Sequence, residues 1–404
     1  MGWKCPAVTR AHLLTGAELG GFVAASAAVA ASVQSILPPA ARVVVDANAI
    51  LRSRTFAGIS PMDVAKALMS QASKTKPTSI EIFFDSDDDA AYPPQRAAVH
   101  AQRYPSSGRS SDVTINNLAR KFGAANINAL ASTPATYLPQ RTNRAIDWMT
   151  CFNCPPLKAF LWRMLAEAVR HAAVERSATG TLGATSVYIY AADGVVTAVN
   201  GAADYVPLKR RYGEADLQTF AAGKAHAERN EPVILYSIDT DFLLMTMASV
   251  TFLPLAPFIV HLKCCVTDGQ KLIAMTGGEN VQARLNTALW YFGLGCDYAD
   301  PLTRQGFYTK DIVHLGGTRV DGRPDAITVK ANVVTLDVAA AESLLAIGTK
   351  RNIKRDVVPI AIALGDLLFC LRYYGFMFPA DVAHPPQSVS YFDATKRSWK
   401  FSLV

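Results

Sequence analysis

Asp239 and Asp241 interrupt an apolar run: Val233-Ile234-Leu235-Tyr236-Ser237-Ile238 precedes them and Phe242-Leu243-Leu244 follows. Such a run, bounded by polar residues, reads as a buried parallel strand. Carboxylates at its C-terminal end would stand in the crevice where open α/β sheets hold their ligands. Side chains at i and i+2 share a strand face, so the two acids converge if the strand reaches that far. Converging carboxylates repel one another unless a proton or a metal ion compensates them. The plainer alternative is that Asp239 or Asp241 caps the helix that follows.

The theme recurs. Arg42-Val43-Val44-Val45-Asp46 and Ser79-Ile80-Glu81-Ile82-Phe83-Phe84-Asp85 each run through β-branched or aromatic residues into an aspartate. Residues 61–72, between them, have helical spacing, which predicts strand–helix–strand units and a mostly parallel sheet. Gly213-Glu214-Ala215-Asp216-Leu217 leads into an Ala-rich helix, where the two acids also suit a helix N-terminus. Asp297 follows in Gly295-Cys296-Asp297-Tyr298. Asp46, Asp85, Glu214, Asp216, Asp239, Asp241 and Asp297 together suit two hard divalent cations, Mg²⁺ with Mn²⁺ as a substitute, held through carboxylates and water. Two ions about 4 Å apart activate a water on one side of a phosphodiester and stabilise the leaving oxygen on the other.

The elements around these acids are read in the same way. Pro93-Pro94-Gln95-Arg96 opens a helix on which Arg96 and Arg103, seven apart, share a face. Asp87, Asp88 and Asp89 read as an exposed acidic loop, and residues 106–142, rich in Ser, Thr, Asn, Ala and Gly, as a mobile basic insertion outside the core. Residues 157–174 predict an amphipathic helix and 186–191 a strand. In the C-terminal quarter, 326–329 predict a short strand, and 338–346 and 357–374 helices. Residues 20–37, Ala-rich and uncharged, are read as a close-packed helix rather than a signal peptide or anchor.

Composition bounds the class. The chain has 404 residues, half of them hydrophobic and 18% charged, which excludes disorder and implies a sizeable core. A net charge of +7 points to a polyanionic partner. Seven cysteines without regular spacing imply a reducing, intracellular compartment, not a disulfide framework. No membrane partner is expected.

The segments VVVDAN, FFDSD with the PPQR helix, GEADLQTFA, YSIDTDFLL and LGCDYAD, in that order over roughly residues 43–300, resemble the flap endonuclease family of 5′ nucleases, within the PIN-like superfamily. The resemblance implies a PIN-like fold: a mostly parallel sheet flanked by helices, with a helical arch inserted at about 90–150. It implies a nuclease domain over 1–320 and a mostly helical extension over 321–404 packed on it. Asp46, Asp85, Glu214 and Asp216 would surround one Mg²⁺, and Asp239, Asp241 and Asp297 the second. Arg96 and Arg103 match the arch-helix cations over the scissile phosphate, and Gly2 matches an N-terminus packed near the active site. Arg52 stands where the family has a base-stacking Tyr, and Asp216 where it usually has Glu. Residues 301–308 keep one Gly of the duplex-gripping Gly-x-Gly pattern. The expected activity is cleavage of DNA bearing a 5′ flap or 5′ end, in replication or repair and hence in the nucleus or another site of DNA replication. A 5′→3′ exoribonuclease and a catalytically silent nucleic-acid-binding scaffold stand as alternatives. No sliding-clamp peptide is visible, since Gln387 precedes Tyr391-Phe392 at the wrong spacing.

Overall fold

Seven short segments rich in β-branched and aromatic residues assemble into one mixed sheet. The computed structural model describes residues 37–48, 60–86, 112–131, 143, 155–194, 196–201, 213–237, 239, 241–249, 252–262, 265–292, 314–315, 318–319, 325–331, 333–344, 391–393 and 398–402. The strands are β1 (Arg42–Asp46), β2 (Ser79–Phe83), β3 (Ser186–Tyr190), β4 (Val196–Val199), β5 (Val233–Ser237), β6 (Phe258–Leu262) and β7 (Cys265–Asp268). Their order is β4-β3-β2-β1-β5-β6-β7. The inner strands β3, β2, β1, β5 and β6 are parallel, and β4 and β7 pair antiparallel at the edges. The chain steps outward from β1 through β2 to β3, then returns to the other flank of β1 with β5. Strand order therefore reverses between β1 and β5, and the α/β class expected from the sequence is what the chain forms.

Helices cover the sheet because the central strands are apolar on both faces. Helix α1 (Pro61–Ala72) starts at Ser60, whose Oγ accepts the Asp63 amide at 3.1 Å, with Pro61 at its first position. Its buried Val64, Ala65, Leu68, Met69 and Ala72 form one stripe. Between β2 and β3 the chain forms α2 (Asp112–Lys121), α3 (Ile127–Ala131) and the long α4 (Pro155–Ala178), which lies along α1. Val43, Val45, Ile80, Ile82, Val187 and Ile189 share one core with α1 and α4.

The alternate strand positions receive α5 (Ala215–Glu228), which packs on β1, β2 and β5. Its approach to β5 is close: a Cβ on Gly223 would lie 2.4 Å from Leu235 Cδ2, so a larger residue would have to displace that buried side chain. After β5 come α6 (Asp241–Ala248), α7 (Gly269–Thr276) and α8 (Val281–Phe292). Arg284 of α8 is fully buried and donates to the carbonyls of Thr246, Met247, Ser249 and Phe252, closing the C-terminal end of α6. Burial lowers its pKa to about 10, so it stays charged at neutral pH.

A ribbon of β8 (His314–Leu315) and β9 (Thr318–Arg319) precedes a second, antiparallel sheet. That sheet has the order β10 (Ile327–Lys330), β11 (Val333–Asp337), β13 (Ser398–Ser402), β12 (Tyr391–Asp393). It joins the main body through α8: the buried Asn286 amide both donates to and accepts from the Ile327 backbone at 2.8 Å, giving edge strand β10 a partner.

Several expectations meet a different outcome. Residues 112–131 lie partly in the core: Ala119, Phe122 and Leu130 are buried in it, and Phe122 meets the Phe160 ring edge-on at 5.5 Å. Polar neighbours masked an apolar stripe at helical spacing. The strand before the Asp-x-Asp pair ends at Ser237, not at Asp239. The expected helix at 338–346 appears as α9 (Val338–Leu344), while 357–374 and the N-terminal 20–36 lie outside the described residues. Among the described residues, no helix is long and apolar enough to cross a membrane.

Candidate active-site cleft

Six of the seven acids occupy one edge of the sheet, where the strands point their C-terminal ends beside the β1–β5 reversal. Asp46 is the last residue of β1, Asp85 follows β2, and Glu214 precedes α5. Asp216 sits in the first turn of α5, Asp239 follows β5, and Asp241 opens α6. Asp46, Asp85 and Glu214 are buried, while Asp216, Asp239 and Asp241 keep partial solvent contact. Asp297, Arg96, Arg103, Arg52 and Gly2, with the acidic loop Asp87–Asp89, lie outside the described residues.

Backbone geometry holds the acids together. The Ser86 amide donates to the Gly213 carbonyl at 2.7 Å, tying the exit of β2 to the start of α5. Asp85 Oδ1 accepts the Ala215 amide at 3.0 Å, and its Oδ2 lies 3.3 Å from Lys158 Nζ on α4. Ser237 bridges the switch-point strands: its Oγ donates to Asp46 Oδ2 and accepts the Asp239 amide, both at 3.0 Å. That turn ends β5, so Asp239 and Asp241 are gathered by a tight local turn rather than by strand alternation. The Asp241 amide donates to Asp239 Oδ1 at 3.0 Å. The capping alternative therefore holds for one oxygen of Asp239. The alternative for Glu214 and Asp216, placement at a helix N-terminus, also holds: Glu214 occupies the N-cap position of α5, without a side-chain capping bond, and Asp216 lies in the first turn.

Electrostatics mark Asp216. Burial pushes its carboxyl well above the ordinary aspartate range, and the charges of Glu214, Asp46, Asp239 and Asp241 push it further the same way. Acids from three separate segments thus lie within electrostatic reach of one another. An all-carboxylate donor set suits hard divalent cations, and a cation there would relieve the repulsion at Asp216. Among the described residues, no three His, Cys, Asp or Glu side chains are gathered closely enough to enclose an ion by themselves.

Sequence reasoning assigned no role to Ser237 or Lys158. Ser237 carried a signal, a hydroxyl at the junction of an apolar strand and an acidic pair. Lys158 carried none, being one cation among several on an amphipathic helix.

The opposite end of α5 holds a second buried polar group. His226 Nε2 lies 2.6 Å from Glu81 Oε1, inside the sheet on β2. Its Nδ1 lies 2.6 Å from Glu231 Oε2 and 2.7 Å from Arg229 Nη2. Arg42 Nη2 reaches Glu231 Oε1 at 2.8 Å. Burial works to raise Glu231, but hydrogen bonds from His226 and Arg42, with their charges, outweigh it and hold the carboxyl below its usual value.

No protein-family model matches this chain, and no curated protein matches it.

Proposed function

We propose that the chain is a divalent-metal-dependent 5′ nuclease of PIN-like fold, related to the flap endonucleases, that hydrolyses phosphodiesters of DNA in replication or repair. The observation that carries this reading is the delivery of six acids from four segments to the β1–β5 reversal, the place where doubly wound sheets bind ligands. In this reading residues 1–320 are the nuclease domain, with its arch at about 90–150, and 321–404 an extension packed on it. Asp46, Asp85, Glu214 and Asp216 would hold one Mg²⁺; Asp239, Asp241 and Asp297 would hold the other. When bound, such ions generate a nucleophilic water and offset charge on the leaving oxygen.

The chain's own residues do the positioning. Ser237 fixes Asp46 relative to the turn that presents Asp239. Lys158 and the first amide of α5 hold the Asp85 carboxylate in place. Arg96 and Arg103 are assigned to the scissile phosphate, where a guanidinium offsets charge on non-bridging oxygens. Such an enzyme would act in a reducing compartment where nucleic acid is copied or repaired, the nucleus foremost.

One sequence feature favours a 5′→3′ exoribonuclease instead: residues 301–308 retain only Gly306 of the Gly-x-Gly duplex grip. A single experiment separates these readings. Purified protein is incubated with Mg²⁺ and labelled 5′-flap DNA, blunt duplex, single-stranded DNA and single-stranded RNA. Cleavage of flap DNA is expected, with loss in EDTA and recovery in Mn²⁺. Asp239→Asn and Asp85→Asn should each abolish cleavage while leaving binding largely intact, because basic surface supplies most of the affinity. Preference for RNA would install the second reading, and binding without cleavage of any substrate would leave a scaffold.

A further inference from the structure

Lys158 Nζ lies 3.3 Å from Asp85 Oδ2, joining α4 to the exit of β2. The two partners are unequally held. Asp85 is 4% exposed and keeps its other oxygen on the Ala215 amide at 3.0 Å. The residue before it is braced as well, since the Phe84 ring meets Trp162 of α4 with centroids 6.4 Å apart. The lysine side chain is 24% exposed, and its ammonium also stands 5.7 Å from the centre of the Trp162 ring, one turn further along α4. Its contact with Asp85 is longer than the roughly 2.7–2.9 Å of a tight charge-assisted hydrogen bond. A lysine is a point charge on a flexible stem, so this ammonium can leave while the carboxylate stays where the backbone holds it.

We infer that Lys158 is a resident counter-cation of the cleft, whose ammonium neutralises Asp85 in the cation-free protein and gives up Oδ2 when a divalent cation loads. This rests on the nuclease reading above, in which Asp85 is a ligand. Two cations on one carboxylate oxygen repel each other, so the lysine and an incoming ion compete for it. A monovalent ion offers Asp85 no more charge than Lys158 already supplies, and the lysine is tethered beside it. A divalent ion offers twice the charge and draws on the neighbouring acids too. Position 158 therefore sets the affinity of the cleft for cations and selects against monovalent ones. The displaced ammonium keeps the Trp162 ring and solvent as partners.

The test compares the parent chain with Lys158→Met, and with Lys158→Gln should the methionine fail to fold. Mn²⁺ affinity is measured by calorimetry, and melting temperature in EDTA and in Mn²⁺. The methionine variant should melt below the parent in EDTA, because a buried carboxylate has lost its cation. It should bind Mn²⁺ more tightly, by about tenfold, the scale of one partly buried ion pair. Mn²⁺ should accordingly raise its melting temperature by more than the parent's. In an Asp85→Asn background the same substitution should bring no gain in Mn²⁺ affinity, since the contested charge is gone. A merely structural lysine would lower the melting temperature without tightening Mn²⁺ binding. Parent-like or weaker Mn²⁺ affinity in the variant therefore overturns the inference and, with the parent binding Mn²⁺, leaves the nuclease reading standing. A gain that persists in full beside Asp85→Asn overturns it too, since the lysine would then act through the general field of the cleft. If neither parent nor variant binds Mn²⁺, the nuclease reading fails and the role of Lys158 falls with it.

Discussion

The two ends of α5 handle charge in opposite ways. At its N-terminal end Asp216 is surrounded by Glu214, Asp46, Asp239 and Asp241, all acting to keep a proton on it. At its C-terminal end acids alternate with bases: Glu81, His226, Glu231 and Arg42 form a chain of contacts between 2.6 and 2.8 Å. One helix and the same three strands support both arrangements. Buried charge arranged for stability brings its partner with it. A set of like charges gathered by backbone hydrogen bonds instead lowers stability, and a cation that binds there gains what the folded chain gives up. This contrast points to the C-terminal edge of the sheet as the working edge and to the other as an anchor.

The comparison breaks most visibly at His226. His226→Leu should cost about 3–5 kcal/mol, because the fully buried Glu81 carboxylate loses the ring that meets it. Denaturant unfolding measures this, and the double variant Glu81→Leu/His226→Leu should recover most of the loss. A single variant as stable as the parent would mean that the anchor is no anchor.

A smaller effect of opposite sign is expected at the acidic end. Asp216→Asn should raise the melting temperature of the metal-free protein at neutral pH. The sign follows from linkage: a carboxyl whose folded pKa is raised contributes stability below its unfolded value, about 3.9, and loses it as pH rises through the folded value. The parent should therefore weaken with rising pH through that window, relative to the variant, and the two curves should meet in acid. Melting curves in EDTA across that range test this, and Mg²⁺ should then raise the parent's melting temperature more than the variant's.

The smallest effect belongs to Arg42→Ala. Its bridge to Glu231 is about a quarter to a third exposed on each side, so the loss should be under about 1 kcal/mol. Glu231 has the opposite linkage from Asp216. Its lowered carboxyl contributes stability above the ordinary glutamate range, lost as pH falls through the folded value. Arg42→Ala should accordingly show its small loss in full at neutral pH, and the stability curves of variant and parent should converge as pH falls through the folded value of Glu231.

Much of this arrangement was legible in the amino-acid order, for a physical reason. Parallel strands buried on both faces must be apolar throughout, so Arg42–Asp46, Ser79–Phe83 and Val233–Ser237 stand out, and an acid at the end of each is conspicuous. What escaped depends on partners distant in sequence. Glu81 and His226 are 145 residues apart, and Ser237 and Asp46 are 191 apart. The β6–β7 hairpin escaped, as did the antiparallel sheet beyond α8 apart from β10, anticipated at 326–329, because short strands of mixed polarity carry little periodic signal.

The burial of His226 makes α5 its own reporter. A ring nitrogen 2.6 Å from the buried Glu81 carboxylate, on a residue 2% exposed, carries a hydrogen shielded from exchange with water. Its proton resonance should lie far downfield and persist at temperatures where surface histidine signals have vanished. The helix rises about 1.5 Å per residue, so this nucleus watches the acidic cleft from roughly 18 Å away. Titrating Mg²⁺ against that one resonance would register any shift of α5 on the sheet without placing a label in the cleft.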